Sequence, residues 1–182
     1  MPEKRNGQFI IKNSIQKYKN PWIEVTEDQV IRPDGKPGIF GTVRVLDGVA
    51  ILPLDEDGYV YLAEEFRYVL GFKDVGTVSG APIVGEELID TAKRELKEEL
   101  GMEAQEWIDL GLVNPFTNIV KGFQKIFLAR QLSFGKDNPE ATENIKLVKV
   151  KLEEAVEMVM NSEITHGASC VLILKAARYL KK

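Results

Sequence analysis

The sequence predicts an α/β protein in which helices cover a mixed β-sheet, with a small antiparallel sheet at the N-terminus. Three observations predict this fold. Strand-like apolar segments alternate with helical segments along the 182 residues, an amphipathic helix occupies the middle, and turn signals divide the N-terminal part. We expect an N-terminal β subdomain over residues 1–47 and a second domain over residues 48–182.

The N-terminal sheet is predicted from three extended segments. Residues 9–19 and 22–31 are joined at Asn20-Pro21, and Arg32-Pro33-Asp34-Gly35 forms a turn signal before residues 41–46 resume the pattern. Three segments linked by short turns are expected to pair antiparallel.

The second domain begins with two apolar segments, residues 49–54 and 59–66, separated by an acidic turn that ends in Gly58. They predict a hairpin that enters the main sheet. Further strands are expected at residues 107–113, 123–129 and 145–150, and helices at residues 152–160 and 166–180. Thr165 precedes the last helix and is the expected N-cap.

Residues 86–100 form the amphipathic helix in the middle of the chain. Leu88, Leu96 and Leu100, with Ile89 and Ala92, recur at helical spacing, and Gly101 stands where a left-handed C-cap is expected. Glu95, Glu98 and Glu99 lie on one face of this helix. Three neighbouring carboxylates destabilise a helix unless they are neutralised, and Mg²⁺ prefers such oxygen ligands.

The same stretch resembles the Nudix box. Gly80, Glu86, Arg94-Glu95, Glu98-Glu99 and Gly101 match the spaced positions of that motif. The resemblance implies an α/β/α sandwich and a Mg²⁺-dependent attack of water on a diphosphate, with Mn²⁺ able to substitute. The alternative interpretation of these residues is a solvated acidic helix face.

The resemblance also implies roles for single residues. Glu95 and Glu99 are expected to bind the metal directly, and Glu98 is a third ligand or a supporting group close to the chemistry. Arg94 is expected to orient the glutamates through an ion pair with Glu86, although an exposed pair of little value is the alternative. The residue before the box glycine, here Ser79, is expected to lend its backbone carbonyl to the metal.

Two further elements resemble the ADP-ribose and nucleoside-diphosphate-sugar pyrophosphatases. Arg67 follows Glu64-Glu65-Phe66 at a strand end and is expected to bind a phosphate, because its planar fork suits that anion. The late loop that carries a catalytic glutamate in this subgroup contains Glu140 and Glu143, of which Glu143 fits the pattern better. For these residues the alternatives are a surface arginine and solvated loop acids.

The N-terminal half resembles the β domain through which this subgroup forms homodimers. Trp22 is expected either to stack on a nucleobase or to pack in a core or dimer interface. Arg44 is a weaker candidate for a contact with phosphate or sugar.

The chain departs from the ADP-ribose pattern before the box, where Gly76 to Ser79 lack the usual Glu and Pro. We therefore expect a pyrophosphatase acting on nucleoside diphosphate sugars of the ADP-ribose or GDP-mannose type. Hydrolysis of other nucleoside di- and triphosphate derivatives and a non-catalytic nucleotide-binding module are the alternatives.

Composition narrows the remaining classes. The net charge of −4 offers no basic field for nucleic acid, and no apolar run is long enough to span a membrane. Cys170 is the single cysteine and the N-terminus has no apolar signal core, which favours a cytoplasmic protein. His166 is the single histidine and is interpreted as a helix-start residue, because no nucleophile motif accompanies it.

Overall fold

The computed structural model describes residues 4–135 and 145–181. The chain divides into two compact units. The first combines Met1–Leu46 with Asn114–Gly122, and the second combines Asp47–Val113 with Phe123–Lys182. Glu140 and Glu143 lie outside the described residues, so their predicted roles remain predictions.

The first unit contains a five-stranded sheet in the order β1-β2-β3-β4-β10. Its strands are β1 (Lys4–Asn6), β2 (Phe9–Lys19), β3 (Ile23–Ile31), β4 (Pro37–Val45) and β10 (Val120–Lys121). The predicted antiparallel arrangement of the three long strands is confirmed. β4 begins earlier than predicted, because the tight turn at Gly35 (φ 79°) lets Pro37 pair directly with Ile31. β10, which pairs parallel with β4, is too short to produce a sequence pattern.

The second unit contains a four-stranded mixed sheet in the order β8-β5-β11-β9. Its strands are β5 (Gly48–Pro53), β8 (Val78–Gly80), β9 (Met102–Val113) and β11 (Gln124–Phe134). β11 runs parallel to β5 and antiparallel to β9, while β8 runs antiparallel to β5. β5 is buried along its whole length, which explains its continuous apolar sequence.

A separate three-stranded sheet has the order β12-β6-β7, formed by β6 (Tyr59–Arg67), β7 (Phe72–Gly76) and β12 (Lys146–Lys151). The predicted hairpin of residues 49–54 and 59–66 within the main sheet is therefore wrong. The two strands meet only at the bridge between Leu54 and Val60. β8 and β11 already pair with the two edges of β5, so β6 pairs with other strands.

The three helices are α1 (Leu88–Leu100), α2 (Leu152–Met160) and α3 (Gly167–Leu180). Gly101 caps α1 in the left-handed conformation (φ 64°), as predicted. The predicted N-cap Thr165 is wrong, because the first helical hydrogen bond of α3 runs from Cys170 N to the carbonyl of His166. His166 is therefore the N-cap, and its side chain makes no capping bond. No helix in the described part of the chain is long and apolar enough to cross a bilayer.

Two apolar clusters form the core of the second unit. One packs side chains of α2 and α3 against the sheets, including the fully buried Leu62, Leu128 and Leu172. The other buries the apolar stripe of α1, where Ala92 and Leu96 pack with Val49 and Ile51 of β5. Burial of this stripe turns the opposite, acidic face of α1 away from the core.

Candidate active site

Gly80 lies where β8 meets the acidic face of α1. A side chain on Gly80 would collide with the carboxyl group of Glu95. The space left by the missing Cβ is thus filled by a carboxylate of the helix. This close approach gives a physical reason for the first glycine of the box.

Arg94 connects the acidic residues of the site. Its Nε and Nη2 donate to the two carboxylate oxygens of Glu86 at 3.0 and 3.1 Å, so the expected ion pair is present. Its Nη1 donates to Glu95 Oε1 and to Glu98 Oε2, each at 2.8 Å. Nη2 also reaches the carbonyl of Ala81 at 3.1 Å. One guanidinium therefore joins α1 to the loop that precedes it.

The ion pair with Arg94 changes the pKa of Glu86. Hydrogen bonds from Arg94, together with those from Ile83 N and the Thr91 hydroxyl, lower the pKa of Glu86 to about 2. The same contacts with Glu86 raise the pKa of Arg94. Both groups stay charged at neutral pH, and the bidentate pairing is much more specific than an isolated surface ion pair.

Glu99 has the opposite environment. Burial, followed by the negative charges of Glu65 and Glu95, raises the pKa of Glu99 to about 8. Its Oε1 accepts a 3.4 Å hydrogen bond from Ser79 N. Its Oε2 is the one fully buried side-chain oxygen or nitrogen without a hydrogen-bond partner in the described part of the chain. An unpaired buried carboxylate oxygen is costly unless something else binds it.

Glu65 was not predicted as a site residue, yet its charge acts on Glu99. It lies two residues before Arg67 on β6, so the two side chains share a face of the strand, and Arg67 Nη2 lies 2.6 Å from Glu65 Oε1. The positive charge of Arg67 also acts on Glu99. Strand alternation from Arg67 would have identified Glu65 as its neighbour on the same face of β6.

The donor set fits a hard divalent cation. Glu95 and Glu99 are one helical turn apart, and Glu99 presents an oxygen that no protein group satisfies. In the described residues, the acidic, histidine and cysteine side chains do not converge in threes at positions ready to hold a metal. Arg94 holds Glu95 and Glu98 in their present orientations. Metal binding through Glu95 Oε1 or Glu98 Oε2 would therefore require that oxygen to exchange Arg94 for the ion.

Two other predicted residues belong to the first unit. Trp22 is 67% exposed, so its interpretation as a packed core residue of this chain is wrong. Its backbone N–H donates to Asn20 Oδ1 at 2.9 Å. Arg44 is exposed on β4 opposite Glu24. The roles proposed for these two residues in substrate binding stay predictions.

The chain is similar to several known proteins. Residues 13–43 match the profile of the Nucleoside diphosphate sugar hydrolase N-terminal domain. The chain is 27% identical over 151 residues to an ADP-ribose pyrophosphatase of Bacillus subtilis, covering 82% of both chains. It is 24% identical over 156 residues to the methanol dehydrogenase activator of Bacillus methanolicus, covering 83% of both.

A third relative is an ADP-ribose pyrophosphatase of Mycobacterium tuberculosis, 26% identical over 81% of this chain and 72% of that one. Among solved structures, an ADP compounds hydrolase superimposes with a TM-score of 0.81. That match covers 94% of this chain and 93% of the other at 18% identity, and it shows the shared fold.

In its fold, its box geometry and its relatives the chain is similar to Nudix hydrolases. Within that superfamily the similarity is to the ADP-ribose and nucleoside-diphosphate-sugar pyrophosphatases.

Proposed function

We propose that this protein hydrolyses the diphosphate linkage of nucleoside diphosphate sugars in a Mg²⁺-dependent reaction. The half-buried Glu99, with a fully buried, unpaired oxygen and two acidic neighbours, carries the proposal. Such a group gains most from a divalent cation, which would lower its pKa and satisfy its oxygen. Glu95 and Glu99 would bind the ion, with Glu65 and Glu98 as further candidates and the Ser79 carbonyl as a backbone ligand.

The substrate class is inferred from the relatives and from Arg67. Two relatives are named for ADP-ribose, and the matched N-terminal domain is named for nucleoside diphosphate sugars. Arg67 offers a cation next to the acidic site, where a diphosphate would need one. We therefore rank ADP-ribose first and GDP-mannose second.

Water would attack one phosphorus atom while the bridging P–O bond breaks, and the products would be a nucleoside monophosphate and a sugar phosphate. When bound, Mg²⁺ would neutralise phosphate charge and acidify water. Arg94 would hold α1 and its preceding loop in place through Glu86 and Ala81. Arg67 would bind a phosphate oxygen. Glu143 or Glu140 would accept the proton from water, with Glu98 as the alternative base.

The first unit is proposed to form a homodimer and to bind the nucleobase, with Trp22 stacking on the base and Arg44 contacting phosphate or sugar. Several large apolar side chains of this unit are exposed: Tyr18, Trp22, Ile39 and Phe40. These exposed apolar side chains are available to a partner subunit.

The test is a hydrolysis panel of ADP-ribose, GDP-mannose, ADP-glucose, UDP-glucose and nucleoside triphosphates, with and without Mg²⁺, for wild type and Glu99→Gln. We expect Mg²⁺-dependent release of nucleoside monophosphate from the linked diphosphates. Glu99→Gln should reduce turnover at least about a hundredfold, because it removes the charged ligand at the centre of the site.

Asp90→Asn is the matched control, since Asp90 is an exposed acid on the same helix that pairs with Lys93. It should retain wild-type turnover, and circular dichroism should show both variants folded. Near-normal activity of Glu99→Gln would refute the site assignment. Turnover of triphosphates alone would refute the substrate class.

A further inference from the structure

A buried chain of hydrogen bonds links the start of α3 to the segment between β7 and β8. Ser169 Oγ lies 3.0 Å from Thr77 N, 3.0 Å from Thr77 Oγ1 and 2.9 Å from His166 Nδ1. Ser169 and Thr77 are both almost completely buried. A Cβ on Gly76 would come within 2.9 Å of Ser169 Oγ, so the helix can sit here only against a glycine.

The buried hydroxyls determine which nitrogen of His166 carries hydrogen. Thr77 N–H donates to Ser169 Oγ. If the Thr77 hydroxyl also donates to Ser169, the Ser169 hydroxyl donates to Nδ1 and every buried hydrogen is used. The opposite direction leaves the Thr77 hydroxyl hydrogen without an acceptor among the described residues. Nδ1 is thus an acceptor, and a neutral His166 carries its hydrogen on Nε2.

The surroundings of His166 favour that neutral form. Burial and, next, the positive charge of Arg67 lower the pKa of His166, while the negative charge of Asp74 acts against them. The thiol of Cys170 on the same helix donates to the carbonyl of Ile164, and burial raises its pKa, so it adds no charge. His166 is therefore a neutral group at the pH of the cell.

His166 lies beside the candidate active site. In the β6–β7 pair Phe72 is opposite Arg67, Asp74 is opposite Glu65 and Gly76 is opposite Ala63, so these residues share one face. Ser169 lies over Gly76 on that face. The charge of Arg67 acts on both His166 and Glu99, so Arg67 lies within electrostatic range of the histidine and of the acidic helix.

The Nε2 atom of His166 is available to a ligand. It makes no hydrogen bond with the described residues, and it is not among their fully buried unpaired atoms, of which Glu99 Oε2 is the single case. Solvent therefore reaches an N–H donor whose direction is held by a buried network. A donor fixed in this way loses little entropy when it binds an acceptor.

We propose that His166 is a substrate-binding residue whose Nε2–H donates a hydrogen bond to a phosphate oxygen of the nucleoside diphosphate sugar, next to Arg67. The proposal rests on the function proposed above. Ser169 and Thr77 act as positioning residues that hold the imidazole in the required tautomer and orientation.

Kinetics test the contact. His166→Leu removes the donor but keeps an apolar side chain at the helix start, and it should raise KM about tenfold while kcat changes less than about threefold. His166→Gln can present an amide N–H in place of Nε2–H and should recover most of the loss. Thr165→Ala, in the exposed residue just before, should leave both constants unchanged. An unchanged KM in His166→Leu, or an equal loss in the Leu and Gln variants, would overturn the proposal.

Nuclear magnetic resonance separates this proposal from the proposed function. His166 is the single histidine, so ¹⁵N-histidine labelling reports one imidazole without ambiguity. The free protein should show the Nε2–H tautomer, and Ser169→Ala should show a tautomer mixture. ADP-ribose added in EDTA should shift the Nε2 resonance of wild type. An Nδ1–H tautomer, or no shift with saturating ADP-ribose, would refute the role of His166 whether or not the enzyme panel succeeds. A failed panel with a shifted resonance would refute only the hydrolysis.

Discussion

Single residues of this site determine how much space and which charged partners their neighbours have. Gly80 provides the room that the Glu95 carboxylate occupies, and Arg94 holds that carboxylate together with Glu86 and Glu98. Glu99 differs from them, because its second oxygen has no partner in the described part of the chain. The site therefore has one carboxylate, Glu99, with an oxygen that can accept a new ligand. The carboxylates of Glu86, Glu95 and Glu98 are bound to Arg94.

Gly80→Ala tests this arrangement. The new methyl group would displace the Glu95 carboxylate. We therefore expect the Mg²⁺ concentration for half-maximal activity to rise about tenfold, because about one charge-assisted contact is lost. Gly41→Ala is the control, because a Cβ there meets nothing within 4 Å and should leave the Mg²⁺ requirement unchanged. Saturation of Gly80→Ala by the same Mg²⁺ concentration as wild type would show that Gly80 does not set the position of the Glu95 carboxylate.

At the scale of elements, β11 contains an unusual residue near its end. Gln131 has a positive φ of 54°. Ala129 and Leu132 are three residues apart, yet both pack against the cluster under α1, and their partners Trp107 and Ala104 on β9 do the same. The alternation of side-chain faces along β11 is therefore interrupted at Gln131. Because of this interruption, Leu132 faces the cluster under α1, as Ala129 does. Phe134, just beyond, packs edge-on against Tyr61 at 5.6 Å.

Gln131→Gly should stabilise the protein, because a side chain in the left-handed region costs about 1–2 kcal/mol that glycine avoids. The greater freedom of glycine in the unfolded chain offsets part of this, so we expect a net gain of about 0.5–1 kcal/mol in the free energy of unfolding. Urea unfolding measures it. Ser133→Gly, two residues along the same strand, should instead lose stability. A loss of stability in Gln131→Gly would show that its backbone is not strained.

At the scale of the whole molecule, the sheet of the first unit exposes apolar side chains that a monomer would leave in water. Light scattering after size exclusion should give twice the chain mass of 20.5 kDa. Ile39, which is 66% exposed, offers a test: Ile39→Asp should give the monomer mass, because a buried unpaired charge weakens an interface. Lys36→Asp, an exposed change in the preceding turn, should stay dimeric. A monomeric wild type at micromolar concentration would refute the homodimer.

The sequence by itself determined the helix of the site, its acidic face, its C-cap at Gly101 and the long strands of the N-terminal sheet. These features follow from local periodicity and from residues with restricted backbone preferences. They can therefore be predicted from short segments of the sequence. The Arg94–Glu86 pair was likewise predictable, since its spacing belongs to the motif.

The tertiary structure decided the rest. The separation of β5 from β6, the charge of Glu65 acting on Glu99 and the chain from Thr77 through Ser169 to His166 join residues distant in sequence. Strand partners and buried hydrogen bonds depend on which groups compete for the same edge or the same space. That competition is settled only when the core packs, and for this reason local patterns did not reveal it.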